Sequence, residues 1–448
     1  MAIPGLVLYS GSSVLLRDPT KVYPTISYGK GMYLYDTSGK QYIDASGGAL
    51  ASSVGHGKRE ITRFVAAQMN RVAYVNGTQF TSEVVEELAA ELINLAPEGI
   101  ERAFFLSSGS EATEAAIKFA RQIWFQRGQT GRRKIIARTP GYHGNTLYAL
   151  SASARPHYKT TYGPLLSSDI VMIDAPYAYR SPVDYQQEGG AHYAKLLEEA
   201  IQREGPETIM AFMFETVIGS SAGASVPPPD YFARVQEICR RHGILMIADE
   251  VMCGSGRTGR FFASEHFGLK PDIITMGKGI SSSYVPLSAV LVRGSLADEI
   301  HNPRSKYAHA QTHMQHPVAA AAGLAVVRYM KKHGLIENAD KMGQYFQSEL
   351  RRRLSPLPHV GHVGGIGLMA GVEFVYNKET KAPFPRQEKF VEHFIAAAFE
   401  AGLIVWPNTG QADETNGDLV MLGPPLTIKK RHADEIIDLF ESIILSLT

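Results

Sequence analysis

A lysine stands between two glycines at the end of an apolar run in "PDIITMGKGISSSYVPLSAVLV", residues 271–292. Lys278 could bind phosphate, cap a surface turn or use its amine as a nucleophile. A phosphate-binding P-loop ending at Lys278 needs glycine at 272 and Ser or Thr at 279. The chain has Asp272 and Gly279 there. Without that loop, the apolar run leaves Lys278 at a buried strand end. Burial disfavours the ammonium form and frees the amine for Schiff-base chemistry. Gly277 and Gly279 are expected to let the backbone turn so that the amine reaches its target.

Four other stretches carry candidate chemistry. In "ILMIADEVMCGSGRTGRFF" a strand ends in Asp249 and Glu250, where a carboxylate can hold a cationic ring nitrogen, bind a metal or cap a turn. The G-x-G-x-x-G match at Gly254, Gly256 and Gly259 follows the carboxylates and precedes a poor crossover helix, so it is set aside as a dinucleotide site. In "RAFFLSSGSEATEAAIKFARQIW" a strand runs through Ser107-Ser108-Gly109-Ser110 straight into a helix. Free N–H groups, hydroxyls and a glycine there suit an anion cradle, or only a serine N-cap. "TPGYHGNTLYAL" puts Tyr142 and His143 in a glycine-rich turn, where the ring could stack on a flat ligand or merely anchor the turn. His309, His313 and His316 share a helical spacing, but the apolar-periodic run starts only at Pro317, and no H-E-x-x-H is present. No metal site is expected.

These positions need elements to hold them. The short apolar runs 102–107, 134–138, 169–174, 208–215, 244–249, 272–277 and 288–293 have polar residues mainly at their ends. That pattern marks strands buried on both faces of a mainly parallel sheet covered by helices. Ligands in such sheets sit beyond the carboxyl ends of the strands, where these residues fall. Ala112, Ala115, Ala116, Phe119, Ala120, Ile123 and Trp124 share one face of a predicted helix. "GMYLYDTSGKQYIDASGG" reads as a hairpin. The chain divides into a segment 1–57, a large α/β unit 58–333 and a smaller α+β unit 334–448, with the first segment expected to join the last.

Bulk composition limits the classes. The chain has 448 residues, 44% hydrophobic and 20% charged, with net charge +1. This is an ordinary globular composition with no overall field toward nucleic acid or an anionic membrane. Two cysteines, Cys239 and Cys253, argue against a disulfide scaffold and suit a reducing cytosol. The first twenty residues lack a basic leader and a long apolar core, and no run is long enough to span a bilayer. A cytoplasmic protein is expected.

A buried lysine, a carboxylate, a phosphate cradle and a stacking aromatic together suit pyridoxal 5'-phosphate. Its aldehyde condenses with an amine, its ring nitrogen needs an acid and its phosphate needs N–H donors. The blocks "SSGSEATEAAIKFAR", "GYHGNT", "ADEVMCGSGRTGR", "DIITMGKGI", "HPVAAAA" and "GDLVMLGPPLTI" also resemble, in the same order, the class III aminotransferases of fold type I, the ω-aminotransferase group. The resemblance implies that Lys278 carries the cofactor link and Asp249 holds its ring nitrogen. It implies that Gly109 and Ser110 cradle the phosphate, that Tyr142 and Val251 cover the two ring faces, and that Glu215 stands nearby. Thr312 matches a threonine that reaches the cofactor of the neighbouring subunit, which implies a homodimer.

The implied reaction moves an amino group from an amine donor to an oxo acid in two half-reactions. Racemase, ammonia-lyase and aminomutase chemistry share the same cofactor residues, and a non-enzymatic module of this fold would lack the need for both Lys278 and Asp249. Relatives using 2-oxoglutarate resemble one another in an arginine where this chain has Met421. The Gly417-Asp418 form is more similar to the amine:pyruvate branch. Some members there carry a mobile arginine where this chain has Glu414. Arg257 is a candidate for a substrate carboxylate or a structural loop residue. Leu50, Tyr74, Gln79 and Phe80 are candidates for the substrate pocket.

Overall fold

A computed structural model of the chain describes residues 13–18, 20–21, 23–301 and 305–447. Most of the N-terminal stretch read above for a leader lies outside the described residues. Among the described residues the strands are β1 (Ile26–Lys30), β2 (Tyr33–Asp36), β3 (Gln41–Asp44), β4 (Ile100–Leu106), β5 (Lys134–Thr139), β6 (Ile170–Asp174), β7 (Ile209–Glu215), β8 (Leu245–Asp249), β9 (Ile273–Met276), β10 (Ser288–Arg293), β11 (Val360–Ile366), β12 (Met369–Phe374), β13 (Leu403–Ile404), β14 (Trp406–Thr409) and β15 (Asp418–Leu422).

The seven apolar runs form one sheet in the order β4-β10-β9-β8-β7-β5-β6. β10 is antiparallel to both of its neighbours, while the pairs among β9, β8, β7, β5 and β6 are parallel. Every residue of β7 and β8 is buried. The alternation of the pleat sends Ala211 and Met213 to one face and Phe212 and Phe214 to the other. The Met213 face is closed by the helix Gly109–Gln126, whose Ala112, Ala116, Ala120 and Ile123 are each 0% exposed. The Phe214 face packs on Tyr231 and Phe232 of the helix Tyr231–His242.

Two four-stranded sheets flank this core, β1-β2-β3-β13 and β11-β12-β15-β14. β2 and β3 form the expected hairpin. Its turn is held by Asp36 Oδ1, which accepts the N–H groups of Ser38 and Lys40. β13 pairs with β3 in parallel, joining the early chain to the late chain. No helix among the described residues is long and apolar enough to cross a membrane.

Candidate active site

Parallel register assembles the acidic part of the site. Glu215 at the end of β7 pairs across to Asp249 at the end of β8, and Asp249 pairs across to Thr275 of β9. Lys278 follows three residues after Thr275, so the chain delivers its amine beside the two carboxylates. Burial lowers the proton affinity of Lys278, and the negative charges of Asp249 and Glu215 partly restore it. Its Nζ has no hydrogen-bond or ion-pair partner among the described residues.

The turn at Lys278 is not made by its glycines. Lys278 itself takes the left-handed backbone, with φ 45°, a conformation that costs a non-glycine residue energy. The glycines supply room instead. A Cβ on Gly277 would lie 3.1 Å from Val251 Cγ1, and one on Gly279 would lie 2.9 Å from Ser255 Cβ.

Asp249 is 4% exposed and well held. His143 Nδ1 lies 2.7 Å from its Oδ2, and Val251 donates its N–H to Oδ1 at 3.0 Å. A carboxylate offers about four lone-pair sites, so acceptor capacity remains for one more cationic donor. Glu215 accepts the N–H of Tyr142 at 3.0 Å and that of Gly219 at 2.7 Å. Burial raises its carboxyl pKa, with the His143 charge opposing the rise. In the sequence His143 stands out only as a neighbour of Tyr142. Its pairing with Asp249 joins residues far apart in the chain, and no local spacing signals it.

The helix Gly109–Gln126 brings its N-terminus to the same end of the sheet. Ser108 Oγ accepts the N–H of Glu111, and Glu111 Oε2 accepts the N–H groups of Ser107 and Ser108 at 2.9 Å each. Capping therefore falls to Ser108, and the N–H groups of Gly109 and Ser110 keep no intrahelical acceptor. Ser110 Oγ accepts the N–H of Asn145 at 2.9 Å. A Cβ on Gly109 would lie 2.8 Å from Val251 Cγ1, so glycine at 109 is what lets Val251 approach the helix start.

Tyr142 is half-buried, with the Arg155 guanidinium 5.2 Å from its ring centre. Thr312 is exposed, and its carbonyl accepts the Tyr74 hydroxyl at 2.9 Å. Tyr74 and Phe80 are 43% and 62% exposed. Leu50 is 1% exposed, with φ 59°, and packs in a cluster with Val217, Cys253 and Met421. Arg257 is 2% exposed and donates to the carbonyl oxygens of Pro424 and Leu368. That is the structural loop role. The segment 309–316 is irregular, and no group of three or more metal-ligating side chains gathers among the described residues.

The family model described as aminotransferase class-III matches residues 17–444. The uncharacterized aminotransferase YodT of Bacillus subtilis is 38% identical over 439 residues, covering 97% of this chain and 98% of its own. A thermostable (S)-enantioselective omega-transaminase from Thermomicrobium roseum superposes with a TM-score of 0.89 at 37% identity, over 95% of this chain and 93% of that one. A Bacillus anthracis aminotransferase superposes with a TM-score of 0.90 at 31% identity, over 98% and 96%.

Proposed function

The chain belongs to the class III aminotransferases, and we propose that it moves an amino group from a primary amine or ω-amino acid to an oxo acid, with pyruvate as acceptor. The observation that carries this reading is the partnerless Lys278 amine beside Asp249 and Glu215 at adjoining strand ends.

The family and its transaminase neighbours imply dependence on pyridoxal 5'-phosphate. The residues present fit that group. The Lys278 amine is partnerless, the Asp249 carboxylate keeps acceptor capacity, and the N–H groups of Gly109 and Ser110 point to no helical acceptor. Lys278 would anchor the cofactor through Nζ, Asp249 would hold its ring nitrogen, and Gly109 and Ser110 would hold its phosphate. Tyr142 and Val251 would cover its faces, Glu215 would stand beside it, and the partner subunit's Thr312 would reach it in a homodimer. When bound, the cofactor supplies an electron sink for the charge left on the substrate carbon.

The protein's own part is proton handling and positioning. Lys278 Nζ takes the proton from the donor carbon that bears nitrogen and later returns one, serving as base and then acid. Burial lowers its proton affinity below that of an exposed lysine, which shifts the balance toward the free base that this role needs. His143 fixes the orientation of the Asp249 carboxylate. The donor leaves as an oxo compound before the acceptor binds, a ping-pong order.

The acceptor assignment rests on Met421, which is 0% exposed in an apolar cluster with Leu50 and Leu419. A second carboxylate, as in 2-oxoglutarate, would meet no cation at that position. The same reading places the large cofactor-binding unit at residues 58–333 and the smaller unit in 1–57 and 334–448.

The test has two arms. Borohydride reduction of the loaded protein followed by peptide mapping should label Lys278. Incubation with a donor amine and pyruvate should yield alanine, with less product from 2-oxoglutarate. A label elsewhere sinks the site, and racemised or deaminated donor without alanine sinks the reaction.

A further inference from the structure

Arg155 is a half-buried guanidinium with no carboxylate partner among the described residues. Its Nη2 donates to Ser220 Oγ at 2.6 Å, its Nη1 donates to Asn408 Oδ1, and its face lies over the Tyr142 ring. All three contacts are to neutral groups. Burial disfavours its charge, and Glu215 is the strongest group opposing that effect. Glu215 accepts the N–H groups of Tyr142 and Gly219 and makes no hydrogen bond or ion pair with Arg155. A guanidinium taken partly out of water and left without a counter-ion is costly unless a ligand supplies one.

Its location suits a substrate group. Arg155 is near enough to Lys278 for its charge to lower the proton affinity of that amine. On its other side it lines a cavity of about 320 Å³ together with Asn408 and Glu414. Asn408 ends the approach to the 410–417 segment, which brings Asp413 and Glu414 and no cation to the cavity. The other arginine lining that cavity, Arg180, is already paired with Glu373. A guanidinium uses few of its five N–H donors in two hydrogen bonds, so Arg155 keeps enough for a planar, two-toothed grip on a carboxylate.

We propose that Arg155 binds the carboxylate of the oxo-acid acceptor and of its amino-acid product, and so sets the preference between carboxylate-bearing and carboxylate-free substrates. This rests on the aminotransferase reading above. A single such cation, with the buried apolar Met421 offering no second one, fits an oxo acid with one carboxylate.

The experiment compares the loaded wild type with Arg155→Met and Arg155→Lys. KM is measured in single half-reactions for alanine and pyruvate, which carry a carboxylate, and for 1-phenylethylamine, which does not. Arg155→Met should raise KM for alanine and pyruvate by about 10- to 100-fold relative to its effect on 1-phenylethylamine, the range for a charge-assisted bond. Arg155→Lys should recover part of the difference. Titration calorimetry with propionate, which cannot react, should show binding to the wild type that Arg155→Met weakens by a similar factor. Equal changes for all three substrates would mark Arg155 as a strut between Ser220 and Asn408 and overturn the proposal. So would unchanged propionate binding. If no donor and acceptor react with the wild type, the aminotransferase chemistry fails first, and the propionate titration still reports on Arg155.

Discussion

The His143 ring nitrogen Nδ1 and the Asp249 carboxylate oxygen Oδ2 lie 2.7 Å apart, both nearly sealed from water. The pair is clamped from outside, since Ser153 Oγ accepts the His143 N–H and Thr113 donates to its carbonyl. Replacing His143 with Leu should leave one carboxylate oxygen buried without its donor. Loss of a hydrogen bond to a charged group predicts a fall in kcat/KM of about 10- to 100-fold, accompanied by weaker cofactor binding. Wild-type kcat/KM in that variant would show that the pair is structural only.

Lys278 separates activity from stability. Its amine is buried with its charged form disfavoured, as expected of a residue kept for chemistry rather than folding. Lys278→Met should reduce turnover by at least about a thousandfold, the scale of general acid–base and nucleophilic roles combined. The cofactor-free variant should melt no lower than the cofactor-free wild type, because an apolar chain replaces a desolvated amine. A clear drop in its Tm would contradict that assignment of the energetics.

Glu250 should show itself in the pH dependence of stability. Burial raises its carboxyl to about 7, although Ala263 N–H, Ser264 N–H and the Thr216 hydroxyl all donate to it. Unfolded glutamate titrates near 4.3, so between about 4.3 and 7 the folded chain binds the extra proton. This group's contribution to stability is full below that window and declines as pH rises through it. The change is on the order of 3 kcal/mol. Denaturant melts of the wild type against Glu250→Gln should diverge across the window and run parallel above about pH 7. A constant difference from pH 4.5 to 8 would refute the raised value.

Gly109 has no room for a side chain. A methyl there would press on Val251 Cγ1 at 2.8 Å, in the contact that brings the helix start to the strand end. Gly109→Ala should cost about 1–3 kcal/mol and weaken cofactor binding in the same variant. Equilibrium unfolding with a cofactor titration tests both, and unchanged affinity would separate Gly109 from the phosphate role.

The shared-site reading of Thr312 can be tested by mixing subunits. Lys278→Ala and Thr312→Ala proteins would each lack one part of every site. If the site is completed across a homodimer, their heterodimer has one site with both residues intact. Co-refolded mixtures should recover wild-type cofactor affinity at about half of the heterodimer's sites, as a separate tight phase in a titration. No gain over the separate variants would place Thr312 within its own subunit.

Much of this was legible because it is local. The seven sheet strands declared themselves by apolar runs with polar ends, and their bounds shift by only a residue or two between pattern and structure. Lys278 stood out because a charge at the end of β9 conflicts with the run before it. What escaped depends on distance in the chain. The Asp249–His143 contact is set by how β5 and β8 lie in one sheet, and Arg155 is held by Ser220 and Asn408, which lie far on in the chain. Gly277 and Gly279 give room, while Lys278 itself makes the turn. Glycine marks either backbone freedom or missing volume, and sequence does not distinguish the two.

The pairing of β3 with β13 has a consequence for synthesis. All seven strands of the large sheet lie between residues 100 and 293 and leave the ribosome together. The hairpin of β2 and β3 emerges earlier but cannot complete its own sheet until residues 403–404 have been made. Domains tend to fold as units while the chain grows, whereas contacts between distant residues form slowly. The sheet begun by β2 and β3 would thus close only after the large sheet has been made, and its exposed strand edge must survive much of the elongation time. A chaperone that shields that edge would raise the yield of native protein without touching the large sheet.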